Sequence, residues 1–138
     1  MITNTNHHKS QQYTGRKTLT SPSDVNPAEI IGSLNKNKQV LSAKNKEYLR
    51  LNQQWADAKE LYSVALSQKL LDLRAKGEPV SIAKDLAKGN KHVARLERNM
   101  IIAEGIMRAC DQSMRDIRSE QDIQRSLLSW LKAEMQSQ

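Results

Sequence analysis

The residues able to do chemistry are few. Histidines stand only at His7, His8 and His92, and the single thiol is Cys110. His7 and His8 are neighbours, but no third ligand of a tetrahedral metal site lies near them, and a solvated role is their default. Cys110 has no histidine within a helical turn to draw off its proton. The chain holds no glycine-rich phosphate loop, no zinc-spaced Cys/His set and no HExxH. Carboxylates are plentiful, but they recur at helix-surface spacing, which leaves acid–base or triad chemistry few participants. The expectation is a protein with no catalytic residue, no metal and no cofactor.

The charge points to a different kind of chemistry. Basic residues number 22 and acidic ones 15, a net of +7. The excess is uneven, with eight Lys and Arg against three acids in residues 1–50 and fourteen against twelve beyond. Lys9, Arg16, Lys17, Lys36, Lys38, Lys44, Lys46 and Arg50 are therefore the candidates for contacts to nucleic-acid phosphates. Such contacts would be sequence-independent and salt-sensitive. No helix-turn-helix spacing or aromatic-interleaved basic platform supports specific readout. The alternative is a solubilising basic tail.

Compartment and bulk follow from composition. A lone cysteine rules out an internal disulfide framework and fits a reducing compartment. No apolar run approaches the roughly 18 residues that span a bilayer, and Met1–Ser10 is too polar for a secretory leader. A cytoplasmic protein without a membrane role is expected. Hydrophobic residues make up 38% and aromatics 4%, with no Phe. That supply cannot fill a thick core, but it suits a thin layer in which Leu, Ile, Met and Ala line a seam.

The elements that must position these groups are helices, which makes the fold class all-α. Residues 1–34 read as a polar, basic tail, disordered in isolation. Within it, Asn26 can cap a short helix over 27–33 with Pro27 at its first position, stopped by Gly32 and Asn35. The spacing predicts a helix over about 36–76, because Leu51, Trp55, Ala58, Tyr62 and Ala65 recur on one face. Leu66, Leu70 and Leu73 carry the stripe on after a shift, and Gly77 and Pro79 stop it. Ser81 can cap a short helix over 81–88, ended by Gly89. Asn90 can cap a last helix over about 90–135, whose one weak point is Gly105. The short connector folds the two long helices antiparallel, making residues 36–136 a helical hairpin.

The last helix carries the most regular signal. Val93, Leu96, Met100, Ala103, Met107, Cys110, Met114, Ile117, Gln121, Gln124, Leu128, Leu131 and Met135 alternate spacings of three and four, a coiled-coil seam with Val93 at position a. Position e reads Glu97, Glu104, Asp111, then Arg118, Arg125, Lys132. In two antiparallel copies these pair as Glu97–Lys132, Glu104–Arg125 and Asp111–Arg118 about one two-fold axis near residue 115. The same axis sets Met100 on Leu131, Ala103 on Leu128, Met107 on Gln124, Cys110 on Gln121 and Met114 on Ile117. It also brings together Ile106 and Leu127, the apolar residues at position g. A homodimer through this seam, extended by the first helices into an elongated four-helix bundle, is the leading expectation. The alternative is that the seam meets the chain's own first helix. Gln121 and Gln124 either fix register or admit water, and Trp55 and Trp130 read as packing anchors, with Trp130 off the seam at position c, where the first helix or a partner protein would meet it.

Leu73-Arg74-Ala75-Lys76-Gly77-Glu78-Pro79-Val80, with Asp85-Leu86-Ala87-Lys88-Gly89, resembles a turn in small helical proteins of tailed bacteriophages, and Ser126-Leu127-Leu128-Ser129-Trp130 is similar to their close. The likeness covers residues 55–132 and implies a phage or prophage origin, which would place the protein in the host cytoplasm. It carries over no functional residue. Three functions remain open: a helical interaction protein or adaptor for a host, defence or phage DNA-metabolism protein; a sequence-independent nucleic-acid binder; and a scaffold or spacer in a larger assembly.

Overall fold

The computed structural model describes residues 25–137, and there the chain is three helices: α1 (Pro27–Ala75), α2 (Val80–Lys88) and α3 (Lys91–Gln136). The 49 residues of α1 and 46 of α3 form rods of roughly 70 Å at 1.5 Å per residue. They pack antiparallel, and α2 closes the bend between them. The candidates His7, His8, Lys9, Arg16 and Lys17 lie outside the described residues.

Each helix end has a local cause. The Asn26 side chain accepts from the Ala28 amide at 2.9 Å, and Pro27 opens α1. At the other end Gly77 takes a φ of 90°, which lets the Glu78 amide reach the Leu73 carbonyl and the Gly77 amide reach that of Arg74. This is the Schellman closure, and a side chain at Gly77 would strain it. The Arg74 guanidinium donates to the Glu78 carbonyl at 2.8 Å and ties the turn further. The Asn90 side chain accepts from the His92 and Val93 amides at 3.0 and 3.2 Å and starts α3. Ser81, however, caps nothing. Pro79 is the cap residue of α2, with no side-chain hydrogen bond, and its carbonyl receives the amides of Ile82 and Ala83.

The larger correction is at the start of α1. The helix runs unbroken through Gly32 and Asn35, so the short helix over 27–33 is the first part of α1, and residues 27–34 belong to the hairpin. Gly32 sits on the outer face with open space around it, so its cost is only about 1 kcal/mol of helix propensity. Packing of Ile30 and Leu34, both half-buried, offsets that cost. The residues less exposed than their neighbours then repeat without a slip: Ile30, Leu34, Asn37, Leu41, Lys44, Tyr48, Leu51, Trp55, Ala58, Tyr62 and Ala65. This is a second heptad seam, facing that of α3.

Three contacts fix how the seams register. Gln124 donates to Ser33 Oγ at 2.7 Å and accepts from Asn37 at 3.3 Å. Cys110 Sγ lies 3.7 Å from the Lys44 carbonyl. Ala65 lines one cleft with Val93. Every step along α1 is therefore matched by a step back along α3, which levels Ala65 with Val93, Leu51 with Met107, Leu41 with Ile117 and Ile30 with Leu128. Leu51, Val93, Met114 and Leu131 are buried at this seam, and Ala83 and Ala87 are buried on α2.

Candidate interaction surface

With α1 laid along α3, the residues read as a contact between copies divide into three groups. Met100, Ala103, Met107, Cys110, Met114, Ile117, Gln121, Gln124, Leu128 and Leu131 are buried or half-buried, and they lie on the side of α3 that α1 covers. A second α3 could take that seam only by displacing α1. The position-e residues Glu104, Asp111, Arg118, Arg125 and Lys132 lie on one flank of the hairpin, and Ile106 and Leu127 on the opposite flank. With α1 in place, no single neighbouring helix reaches both flanks. The spacing marks which residues are covered, and in this fold the helix laid over them is α1, the alternative to a second copy.

The position-e flank is charged. Arg108 pairs with Glu104 at 2.7 Å, Arg115 with Asp111 at 3.0 Å, and Arg125 with Asp122 at 3.1 Å, all within α3. The acids set aside for a second copy thus have cations on their own helix. Exposed pairs of this kind contribute about 0.3–0.5 kcal/mol each. Lys38 and Arg125 share a shallow groove of about 360 Å³ on this flank, floored by Leu34 and Leu41.

Among the described residues, the basic side chains proposed for phosphate contacts do not gather. Lys38 stands on the charged flank, while Lys36 and Arg50 stand on the other. Lys46 faces outward from α1, and Lys44 is half-buried in the seam. Arg50 is also engaged by Glu47, whose carboxyl is held below its ordinary range chiefly by the hydrogen bond from that guanidinium. The five positions that lie among the described residues form no continuous stripe.

The opposite flank is the feature the sequence reading missed. Val40, Leu61 and Val64 of α1 and Ile102, Ile106, Ile123 and Trp130 of α3 lie along it, exposed by 36 to 69%. Ala43 is exposed and Leu127 half-buried beside them. The charged flank exposes only Ile31, Leu49 and Ile101 among large apolar residues. A groove of about 420 Å³ lies between the helices on the apolar side, walled by Leu61, Val64, Gln68, His92 and Leu96. The signal was present in the sequence, since these residues sit at positions g and c of both seams. It surfaces only when the α1 seam is traced back to Leu34, and polar Asn37 and Lys44 interrupt that tracing.

Two smaller apolar patches lie at the ends. Pro27, Leu128, Leu131 and Met135 line a groove of about 560 Å³ at the open end of the hairpin. At the bend, α2 leaves Val80, Ile82 and Leu86 exposed. No cluster of His, Cys, Asp and Glu among the described residues could hold a metal ion, and none of the described helices is long and apolar enough to cross a membrane. Compared with known proteins, the chain matches no family model, no curated protein and no solved structure.

Proposed function

We propose that this chain is a non-catalytic helical adaptor that binds a protein partner along its apolar flank. The observation that carries the reading is the unevenness of the hairpin: large exposed apolar residues concentrate on one flank, interrupted there by the Arg50–Glu47 pair, while the other flank carries three ion pairs. Apolar patches of this extent on a water-facing surface mark sites where another protein is bound. Hydrophobic residues at helical spacing suit a partner helix laid in the groove between α1 and α3. A phage-encoded origin rests on the resemblance of residues 55–132, and under it the partner is a host or defence factor, or a protein of phage DNA metabolism.

The scattering of Lys36, Lys38, Lys44, Lys46 and Arg50 over different faces speaks against nucleic acid as the principal ligand, because phosphate binding gains from cations aligned along one surface. The test is photo-crosslinking in host lysate with nuclease present. A photoreactive residue at Leu61 should capture a protein that the same residue at Ile101, on the charged flank, does not. Equal capture from both flanks, or a nuclease-sensitive and salt-sensitive complex alone, would overturn the reading.

A further inference from the structure

We infer that the apolar flank is built to take a second copy of this chain, packed antiparallel with α1 on α1 and α3 on α3, about a two-fold axis beside Ile106. This rests on the reading of the flank as a protein-binding surface and goes beyond it by naming a second copy as the occupant in the free protein.

The argument comes from where the apolar residues fall along the hairpin. In the register set by Gln124, Cys110 and Val93, Ile106 lies level with Asn52. Leu61 and Val64 lie nine and twelve residues from Asn52 toward the bend. Ala43 and Val40 lie nine and twelve residues from it toward the open end. A two-fold at that level therefore sets Leu61 on Ala43 and Val64 on Val40 of the second copy, large on small in one layer and Val on Val in the next, as interdigitating layers require. On α3 it sets Ile106 on its own equivalent and Ile102 beside Ala109.

Two of the charged contacts on this flank are complementary. Arg95 meets Asp116 of the second copy, and His92 comes opposite Glu120. Glu47 faces Asp57, an acid–acid contact offset by Arg50, which is bonded to Glu47 of its own chain. By contrast, an axis near residue 116, which would pair Ile102 with Trp130, sets Asp116 against itself.

The ends of the flank are also used. Trp130 lies beyond the start of α3 in the second copy and reaches the level of its bend, where Ile82 and Leu86 of α2 stand exposed. A face roughly 70 Å long on α1 and roughly 45 Å long on α3, at 8–10 Å between axes, gives on the order of 1,000 Å² per copy, in the range of a standard stable interface. Every neighbouring pair of helices in the resulting four-helix bundle is antiparallel.

Sedimentation of the full chain at tens of micromolar, together with cysteine cross-linking, tests this. The wild type should sediment as a dimer. Ile106→Glu should shift it to a monomer with its helical circular dichroism unchanged, while Ile101→Glu on the charged flank should leave the dimer intact. In a Cys110→Ser background, Ile106→Cys should form an intermolecular disulfide at least tenfold faster than Asp116→Cys or Ile101→Cys. A monomeric wild type, an Ile106→Glu variant that stays dimeric, or faster cross-linking at Asp116 or Ile101 would overturn the proposal. A monomer whose apolar flank still captures another protein would defeat self-docking and leave the adaptor reading standing.

Discussion

Gln124 does more than any other side chain to set how the two long helices meet. It bridges Ser33 and Asn37 of α1 from within an otherwise apolar seam. One residue place up or down would leave an amide in the seam with no partner, so the bond selects register more than it adds stability. Gln124→Ala should cost about 1–3 kcal/mol in urea unfolding, because Ser33 and Asn37 lose a partner while half-buried. Replacing all three by apolar residues should restore the stability but broaden the amide NMR spectrum as neighbouring registers become populated. Glu47 allows a second check at this scale. The hydrogen bond from Arg50 depresses its pKa below the ordinary 4.5. The ionised carboxylate therefore supports the fold above pH 4.5, and that small contribution is lost as pH falls through the depressed value. In Glu47→Gln, thermal scans should lose this part of the acid sensitivity and change little at pH 7.

At the scale of elements, the bend is the strained point and the start of α1 the under-optimised one. Gly77→Ala places a side chain at a φ of 90° and should cost about 1–2 kcal/mol. Gly32→Ala meets open space on the outer face of α1. It should therefore add about 1 kcal/mol and raise Tm by about 4 °C in a calorimetric scan. Most of the helix layout was legible from such local chemistry: Asn26 and Asn90 as caps, Gly77 as a stop, and the 51–65 and 93–131 stripes as covered faces. The first 24 residues of α1 were harder to read. Gly32, Asn35, Asn37 and Lys44 each oppose helix or burial locally, and only pairing with α3 overrides them. The interaction surface was the least legible part. A seam announces that something covers it, and a flank becomes recognisable only once the seam's occupant is known.

Over the whole molecule the hairpin is uneven along its length. From Tyr48 with Cys110 to Ala65 with Val93, the levelled residues are apolar or aromatic. From Lys44 with Met114 outward, Lys44, Asn37, Gln121 and Gln124 enter the seam. Local opening follows the density of apolar burial, so the open half should separate first. Hydrogen exchange of the full chain should find amides near residues 30–40 and 118–128 exchanging before those near 51–65 and 96–110. Equal protection along both halves would contradict this assignment of stability. An open end that loosens while the bend half holds also leaves Ile106, in that firm half, fixed in place for its partner.

The single register has a consequence for how the chain is made. Ala65 and Val93 are 28 residues apart, whereas Ile30 and Leu128 are 98 apart, so pairing closes like a zip that starts at the Gly77 turn. During synthesis the whole of α1, stripe included, is made before the first residue that can cover it. At 5–20 residues per second, Ile30 waits about 5–20 s for Leu128. Through that interval the nascent chain depends on its own polar punctuation, Asn37 and Lys44 among it, to stay out of aggregates.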